Sequence, residues 1–551
     1  MSEHDKIILP EKYYLDYFRY LLSFVKSKYA TLLDERETKF IEEFEKLSED
    51  AQCLYVRINN RKGKFFRRSK LHYPEISDLL AAHSDLLAAG YCHVPHVLSI
   101  EEAYGLINAY TKPEITQKLK GETVAIDWKL PKTELILQII ETVSQEAILG
   151  YFYDGDDLIT QGKEEEWAMI KLFFFGHNHG DMSDFVIRDI GHARFIDIDE
   201  SKLGLSFDTR AEAEAIMQLY NHSRDFMILE ENGEADLILQ WFESLDIRYF
   251  LSLEKAKSNA DKLIHRVGYH LEKNKYYPEA LFIYQHSTAS PMRERQIRIY
   301  NKQKNLTSAR QLAQEILLAP NDNKEYYIAQ DVINKSSQKL KSTTLRQKSG
   351  IEISLSPAYQ YRVEEGALAY FSAQGYHGVH SENSIWRSIF GLVFWEEIFD
   401  PQYNTLHQPL QRNPTDLYGR DFYKNRKEAL HQRLTLLKNK KQIIKCMQTN
   451  YDQNHGVASM FVNWEEAIME ASIRLVTFLS LKQIKNTLLV IALDPKTRSS
   501  GFPDLFVWNE TEYHFYEVKS PTDHLSEKQL FWLEHFDQQK INAEIVLVRW
   551  G

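Results

Sequence analysis

The stretch that decides the fold lies between residues 501 and 533 and reads GFPDLFVWNETEYHFYEVKSPTDHLSEKQLFWL. Its runs DLFVWN (504–509) and YHFYEVK (513–519) are rich in apolar and aromatic residues and flank a short polar turn, which predicts two adjacent strands. A helix is predicted over residues 526–539, and AEIVLVRW (543–550) predicts a further strand. Strands and helices in this order are typical of a compact α/β unit with a mixed sheet.

The sequence before this stretch adds elements to the same unit. We expect a helix over residues 464–483 and a strand at LLVIALD (488–494), which gives the order helix-β-β-β-helix-β. Further upstream, SIWRSIFGLVFWEEIF (384–399) predicts a buried helix. It is followed by a basic insertion, residues 402–446, with ten Lys or Arg residues and three acids. The insertion could follow a DNA backbone, or it could be a solvated helix that balances acids elsewhere.

Three charged residues in the deciding stretch carry the strongest chemical signal. Glu517 and Lys519 lie two apart on one predicted strand, so both side chains point to the same face. A hairpin can bring Asp504, at the start of the preceding strand, beside Glu517. Two carboxylates can bind Mg²⁺ or Mn²⁺, which polarises a phosphodiester and lowers the pKa of a bound water. Lys519 can then position the water or offset transition-state charge. The alternative is an exposed ion pair at a strand end.

The phrase EVKSPTDHLSEKQLFWL (517–533) resembles the VRR-NUC form of the PD-(D/E)xK nuclease fold. Upstream, GYHGVHSENSIWRSIFGLVFWEEIF (375–399) resembles the helix that supplies a further metal-binding glutamate in that family. The resemblance implies a divalent metal held by Glu382, Asp504, Glu517 and the main-chain carbonyl of Val518.

The same resemblance assigns two further residues to the site. Lys519 matches the catalytic lysine of the family, and Gln529 lies at the position of a glutamine that orients a phosphate or a water. Gln529 could instead be a polar helix residue that faces solvent. Glu382 could also act locally, because an acid in the first helical turn after the cap Ser381 interacts favourably with the helix dipole. The two roles of Glu382 are compatible.

Other segments resemble the Fanconi-associated nucleases in particular. They are YYLDYFRYLLSFVKSKYATLL (13–33), LSEDAQCLYVRINNRKGKFFRRSKL (47–71) and DFVIRDIGHARF (184–195), so the resemblance covers nearly the whole chain. The family architecture implies a multidomain α plus α/β protein, mainly helical before a C-terminal restriction-endonuclease-like nuclease domain. We expect a winged-helix-like DNA-binding domain, a SAP-like DNA-binding region, a TPR-like helical region and the VRR-NUC domain at residues 1–95, 96–200, 201–350 and 351–551.

The segment from residue 51 to residue 72 holds seven Lys or Arg residues and no acid. Two short strands around Gly63 would make it the basic wing of a winged helix, with Tyr55, Phe65 and Phe66 interleaved. Basic residues on such a wing would contact DNA phosphates; the alternative is a solvated charged loop. The expected DNA-binding residues are Arg57, Arg61, Lys62, Lys64, Arg67 and Arg68 here, with Arg426 and Lys427 in the basic insertion.

The middle of the chain gives weaker signals. YYPEALFIYQ (276–285) and NLTSARQLAQEIL (305–317) resemble each other and favour paired-helix repeats, although a plain helical bundle fits as well. The polar, basic stretch at residues 334–350 is typical of a linker or exposed loop. His177-Asn178-His179, close to two aspartates, has the composition of a zinc site, but a structural loop is the preferred interpretation.

The composition of the chain limits the classes of protein that are compatible with these predictions. The chain has 551 residues, 43% of them hydrophobic, and a net charge of −11, so DNA binding needs locally basic surfaces. Its three cysteines are too far apart for a zinc module or a disulfide framework, which favours a reducing compartment. Neither a signal core nor a run of 18 apolar residues is present in the sequence, so no membrane partner is expected.

The sequence therefore predicts a structure-selective DNA nuclease that uses Mg²⁺ or Mn²⁺. The family resemblance implies 5′-flap endonuclease and 5′→3′ exonuclease activity on branched or flapped DNA in interstrand cross-link repair. The alternatives are a Holliday-junction-type nuclease of the same fold and a non-catalytic DNA-binding scaffold with a helical repeat. The chain lacks the cysteine-rich finger of animal members, so it resembles the shorter bacterial form, expected in the cytoplasm or nucleoid rather than a nucleus.

Overall fold

The computed structural model of the chain describes residues 9–120, 126–155, 157–191, 193–335, 350–419 and 421–551. Most of the predicted linker at residues 334–350, and Arg420 of the basic insertion, therefore lie outside the described residues. The chain divides into two units. One comprises residues 1–192 and 205–213, and the other comprises residues 193–204 and 214–551.

The first unit consists mostly of short helices. In chain order they are α1 (Tyr13–Lys28), α2 (Glu35–Lys46), α3 (Glu49–Asn59), α4 (Leu79–Ala88), α5 (Ile100–Asn108), α6 (Lys112–Lys118), α7 (Lys132–Thr142), α8 (Gln145–Phe152), α9 (Glu164–Phe175) and α10 (Ser183–Asp189). Polar caps fix several starts: Asp34 and Glu37 form a capping box on α2, and the Ser48 side chain caps α3. A core of buried aromatic side chains holds α1, α2 and α3 together, with Phe18 and Phe44 in contact at its centre.

The predicted basic hairpin in this unit is wrong. Residues 54–58 belong to helix α3, and they are buried except for the partly exposed Arg57. Only β1 (Phe65–Arg67) is a strand, and it pairs antiparallel with β2 (Leu158–Thr160). The run LYVRI is apolar on most sides because its helix is enclosed by neighbours, and a short apolar run of this kind does not distinguish a buried helix from a strand.

The second unit begins with helices that lie against their neighbours in sequence. They are α11 (Arg210–Asn232), whose first turn belongs to the first unit, α12 (Ala235–Glu243), α13 (Ile247–Ser252), α14 (Glu254–Lys273), α15 (Tyr277–Tyr284), α16 (Met292–Lys302), α17 (Leu306–Leu318) and α18 (Asn323–Lys335). Helix α14 packs on α15, α16 on α17 and α17 on α18. The two similar segments of the sequence correspond to α15 and α17. Contacts between successive helices fit both a paired-helix repeat and a plain bundle, so the TPR-like region stays a prediction.

A five-stranded mixed sheet follows. Its strands are β3 (Ile351–Leu355), β4 (His377–His380), β5 (Leu505–Trp508), β6 (Tyr513–Lys519) and β7 (Ala543–Trp550), in the spatial order β3-β7-β6-β5-β4. Strand β7 pairs in parallel with both β3 and β6, and the other neighbours are antiparallel. The mixed sheet predicted from the sequence is therefore present, although two of its strands lie far upstream of the deciding stretch.

Helices cover both faces of this sheet. Helix α19 (Val363–Ala373) packs on one face, where Phe371 stacks on Tyr516 of β6. Helices α20 (Ser384–Val393) and α27 (Glu527–Gln539) meet over the other face, where Trp386 and Phe536 are in contact and Phe515 of β6 packs against Phe536. Alternate residues of β6 therefore point to opposite layers, and Glu517 and Lys519 share the α27 side with Phe515.

The remaining helices correct two further predictions. They are α21 (Trp395–Ile398), α22 (Asp421–Leu436), α23 (Lys440–Asn454), α24 (Glu466–Phe478), α25 (Leu481–Leu493) and α26 (Pro495–Arg498). The expected strand LLVIALD lies mostly in α25, which starts at a capping box formed by Ser480 and Gln483. The predicted helix at residues 384–399 is broken between α20 and α21. In the described part of the chain, no helix is both long and apolar enough to span a membrane.

Candidate active site

Asp504 lies immediately before β5, where the chain turns into the sheet. Its side chain is 8% exposed, and Oδ2 accepts a hydrogen bond of 2.8 Å from the backbone N–H of Val518 on β6. The antiparallel pairing of β5 with β6 is what brings Asp504 beside the end of β6, as the sequence predicted. Burial raises the pKa of Asp504 to about 6, although the Val518 hydrogen bond and the charge of Lys519 act in the opposite direction.

Glu517 is fully buried on β6, on the same face as Lys519. The Lys519 ammonium lies 2.8 Å from Oε1 of Glu517, and among the described residues no protein group hydrogen-bonds to Oε2. Burial and then the neighbouring charge of Asp504 raise the pKa of Glu517 to about 8. The exposed strand-end ion pair considered from the sequence is therefore wrong: one lysine offsets two buried carboxyl groups.

Gln529 connects the strand to the helix above it. Its Oε1 accepts hydrogen bonds from the Lys519 ammonium at 3.2 Å and from the backbone N–H of Ser526 at 2.9 Å. Ser526 Oγ in turn accepts from the Gln529 N–H, which completes a capping box at the start of α27. Gln529 is thus fixed by its own helix and holds the ammonium in place, so the solvent-facing alternative for it is wrong.

Glu382 is close to this pair but not where the sequence placed it. It is exposed in a turn before α20, which begins at Ser384, rather than in the first turn of the helix. Ser381 ties this turn to the site, because its backbone N–H donates to the carbonyl oxygen of Asp504 at 2.7 Å. The negative charge of Glu382 raises the pKa of both Asp504 and Glu517. The turn therefore holds a third carboxylate beside the buried pair.

Asn383 is a positioning residue that the sequence did not reveal. It adopts a left-handed conformation with φ of 59°, and its Oδ1 accepts from the N–H of Gly501 at 2.7 Å. Its Nδ2 donates to Oε1 of Glu382 at 3.1 Å. One side chain thereby joins the Glu382 turn to the segment that leads into Asp504. The only signal in the sequence is an asparagine, a residue type that tolerates positive φ, just before a helix.

Glu364 is an acid near the site that the sequence did not reveal. It lies in the first turn of α19, on the opposite face of the sheet from α27, and it is partly buried. Its negative charge raises the pKa of Asp504. The packing of α19 on the sheet brings Glu364, and not Glu365, toward Asp504. The local sequence contains no signal that distinguishes these two glutamates.

The donor set fits a divalent cation. Asp504 and Glu517 are buried acids with raised pKa values, and Oε2 of Glu517 has no hydrogen-bond partner among the described residues. A buried carboxylate without compensation is costly, and Mg²⁺ or Mn²⁺ bound by oxygen ligands would remove that cost. Within the described ranges no three His, Cys, Asp or Glu side chains already form a metal cluster, and that includes the stretch around His177 and His179.

The raised pKa of Glu517 predicts how stability varies with pH in the absence of metal. Because the folded protein holds this proton up to a pKa of about 8, against an ordinary value of 4.5, the contribution is stabilising at low pH and declines as the pH rises between these values. Replacing Glu517 by glutamine should remove most of this decline. Thermal melting in EDTA from pH 5 to pH 8.5 checks it; equal pH slopes for the variant and the wild-type protein would contradict it.

We also expect Asn383 to control metal dependence. Glycine at this position keeps the left-handed backbone but loses the amide, so Asn383→Gly frees the Glu382 turn without straining it. The rate of DNA cleavage should fall by about 10-fold at limiting metal and recover partly at high metal concentration, as for other groups that orient metal ligands. Asn404→Gly, at another left-handed asparagine with φ of 51°, is the matched control. An unchanged metal titration for Asn383→Gly would disprove this role.

The expected DNA-binding residues of the first unit differ in how available they are. Arg57 forms an ion pair with Glu75, and Arg67 pairs with Glu114 at 2.6 Å and Asp157 at 3.0 Å. Lys64 lies 3.0 Å from Glu164. Arg68 is partly buried, whereas Arg61 and Lys62 are exposed in the bend that follows α3. DNA contact by these six residues stays a prediction, and the structure leaves Arg61 and Lys62 as the most accessible.

Arg426 is not a DNA-binding residue in this structure. Its side chain is fully buried, it forms an ion pair with Asp416, and Nε donates to the carbonyl oxygen of Glu397 at 2.8 Å. A buried and fully engaged guanidinium fastens α22 to the preceding segment and cannot reach a phosphate, so that prediction is wrong. Lys427, one position further along the helix, is exposed, and its contact with DNA remains a prediction.

Comparison with known proteins agrees with this geometry. The family models of the FAN1 HTH domain and the VRR-NUC domain match residues 12–93 and 438–550. The chain is 27% identical to a Fanconi-associated nuclease 1 homolog of Pseudomonas aeruginosa, over 98% of this chain and 97% of that protein. A homolog of Arabidopsis thaliana is 25% identical, over 97% of this chain and 66% of the plant protein. The crystal structure of paFAN1 bound to DNA with a two-nucleotide 5′ flap and a gap superposes with a TM-score of 0.87, at 25% identity and 99% coverage of both chains.

The mixed sheet, the buried carboxylate pair and the adjoining lysine define a VRR-NUC nuclease domain of the PD-(D/E)xK class. The second family model lies at the other end of the chain, and the similarity to relatives extends over nearly its whole length. The chain is therefore similar to the Fanconi-associated nucleases at both ends and over nearly its whole length. The predicted family, the predicted fold class and the predicted DNA nuclease function are thereby confirmed.

Proposed function

We propose that the chain cuts branched DNA at 5′ flaps by metal-dependent hydrolysis of a phosphodiester, and that it also degrades DNA from 5′ ends. The observation that carries this proposal is the arrangement at the end of β6. There a buried pair of acids, Asp504 and Glu517, faces one ammonium that is held in place by Gln529. A pair of this kind serves no purpose in a passive scaffold, because an uncompensated buried carboxylate destabilises the fold.

The proposed roles follow from where each group lies. Asp504, Glu517, Glu382 and the carbonyl of Val518 would hold Mg²⁺ or Mn²⁺. When bound, such an ion would polarise the scissile phosphodiester and lower the pKa of a bound water. Lys519, which lies 2.8 Å from Glu517, would offset charge that develops on the phosphate oxygens during attack. Gln529 would keep the ammonium aimed at the phosphate, since its own amide is fixed by the cap of α27.

The proposed substrate rests on the relatives. paFAN1 has been crystallised with 5′-flap DNA that contains a gap, and this chain matches that protein over 99% of its length. A role in the repair of interstrand cross-links is part of the same proposal. The long helical regions before the nuclease domain favour a flapped substrate over a four-way junction, because a junction nuclease of this fold resembles an isolated module.

A cleavage assay on a panel of labelled DNA substrates tests the proposal. The full-length protein is incubated with a 5′ flap, a 3′ flap, a four-way junction and a plain duplex, each with Mn²⁺, Mg²⁺ or EDTA. We expect metal-dependent cutting that is fastest on the 5′ flap. If the four-way junction is cut fastest, the active site would stand as proposed but the proposed substrate would be wrong. The absence of cutting with either metal would overturn the proposal and favour the scaffold.

A further inference from the structure

The first unit contains a cavity that the nuclease chemistry does not use. Its volume is about 590 Å³, and its walls come from α1, the end of α3, α9 and the start of α10, together with the loop that carries Tyr73. This volume lies within the range of pockets that hold small organic ligands. All of the lining residues belong to the first unit, so the cavity is complete within it.

One wall of the cavity is aromatic. Tyr13, Tyr14, Tyr17, Tyr73 and Trp167 all line it. Tyr13 is partly exposed and packs edge-on against Tyr14 and Tyr17, with ring centroids 5.7 and 5.6 Å apart. The hydroxyl of Tyr14 donates to Glu75 at 2.8 Å, and that of Tyr17 donates to Asp189, so these two rings are held rigidly. A fixed set of ring faces and edges of this kind favours a flat aromatic ligand.

The charge of the lining is mainly positive. Arg57, Arg61, Lys62 and Lys171 line the cavity, against a single acid, Asp181. Arg57 is neutralised by Glu75, and its guanidinium stacks 3.9 Å from the centre of the Tyr14 ring. The other three basic side chains make no ion pair within 4 Å among the described residues. A flat ligand that also carries negative charge is therefore favoured over a neutral one.

Lys171 points to where that negative charge would lie. It comes from α9 and is partly buried, with its ammonium 5.8 Å from the Trp167 ring centre. Burial lowers the pKa of Lys171, and the opposing charge of Asp181 does not compensate for it. The Asp181 carboxylate already accepts hydrogen bonds from the N–H and hydroxyl of Ser183. An anionic group in the cavity would stabilise the charged form of Lys171.

We infer that this cavity binds an unpaired nucleotide of a DNA single strand, with its base against the aromatic wall and its phosphate facing Lys171. Bases stacked inside a duplex do not expose their faces, so a concave aromatic pocket can take up only an unpaired base. Binding of the DNA backbone alone would require exposed cations but no aromatic pocket. Arg61 and Lys62 at the rim extend the positive surface for the neighbouring phosphates. The inference rests on the proposed function only in taking DNA as the ligand.

Binding in EDTA tests the inference without any cleavage. Two fluorescent duplexes are compared, both nicked, one of them with a three-nucleotide single-stranded 5′ flap. Wild-type protein should bind the flapped duplex more tightly than the nicked one. Tyr13→Ala and Lys171→Gln should each weaken binding of the flapped duplex by about 10-fold, the scale of one base–aromatic contact, with little effect on the nicked duplex. Tyr13→Phe, which keeps the ring, should behave as wild type.

The control is Lys28→Gln, which removes an ammonium 5.7 Å from the Phe24 ring of the same unit, outside the cavity. Light-induced cross-linking from 4-thiothymidine in the flap gives a second measurement, and the cross-linked peptides should contain Tyr13, Tyr73 or Trp167. Equal loss of affinity for both duplexes, or cross-links only elsewhere, would overturn the inference. If Tyr13→Ala does not fold, the affinity of Lys171→Gln and the position of the cross-links decide whether the cavity binds the flap. A wild-type protein that cuts no DNA would refute the proposed function and leave this binding result intact.

Discussion

Replacing Asp504 by asparagine is expected to slow DNA cleavage by about 1000-fold, because the variant loses one of two buried carboxylates that would hold the metal. The amide oxygen can still accept the hydrogen bond from the Val518 N–H that Asp504 now receives at 2.8 Å. The turn into β5 should therefore keep its shape. Burial raises the pKa of Asp504 to about 6, so a neutral group at this position should fold at least as well in the absence of metal.

Three measurements separate chemistry from folding and binding in this variant. Single-turnover cleavage of a 5′-flap substrate gives the rate, binding of the same DNA in EDTA gives the affinity, and thermal melting gives the stability. The affinity should stay within about threefold of wild type, a difference of about 0.7 kcal/mol. Glu510→Gln, at an exposed acid in the turn between β5 and β6, is the control. Cleavage by Asp504→Asn at close to the wild-type rate would refute the assignment of the active site.

Replacing Lys519 by methionine is expected to lower the rate of cleavage by about 100-fold, because the variant keeps the length of the side chain but loses the charge near the reacting phosphate. A second effect follows from the 2.8 Å contact with Glu517. The ammonium lowers the pKa of Glu517, against burial, which raises it. Without the ammonium this pKa should rise further, so the rise of the cleavage rate with pH should move to higher pH.

A pH–rate profile for Lys519→Met and wild type, at saturating Mn²⁺ and at limiting Mn²⁺, checks both effects. Lys482→Met, at an exposed position of α25, is the matched control and should follow the wild-type profile. A lower rate with an unshifted profile at limiting metal would mean that Lys519 acts only on the phosphate. A rate close to wild type would rule out a catalytic role for this lysine.

The deciding stretch and the residues that follow it predicted β5, β6, α27 and β7, because each element has a clear pattern and a polar turn or cap separates it from the next. The prediction of a strand at LLVIALD (488–494) was wrong for a physical reason. The run is apolar on every side of its helix, including the exposed Leu493, so no 3.6-residue period of apolar and polar residues marks it in the sequence. The prediction of a strand at LYVRI, which lies in α3, was wrong for the same reason.

The candidate site was predictable where its residues lie on adjacent strands. Asp504, Glu517 and Lys519 are brought together by one hairpin, so a period of two was enough to place them. Asn383 and Glu364 were not predictable, because they reach the site through α20 and α19, from more than 100 residues upstream in the sequence. Arg426 was wrongly predicted to bind DNA, because composition alone does not distinguish a solvent-exposed arginine from one that is buried in an ion pair, here with Asp416.

The order of the strands bears on when the enzyme becomes active during synthesis. Strand β7 lies between β3 and β6, so Ile351 pairs with Val546 and Glu517 faces Ile545 across the ladder. The first and last partners in this sheet are separated by roughly 200 residues, a contact that forms late in folding. A growing chain on the ribosome thus has its helical regions available before β7 emerges. Until β7 has joined the sheet, β6 and its buried Glu517 lack the strand that pairs with them on that side.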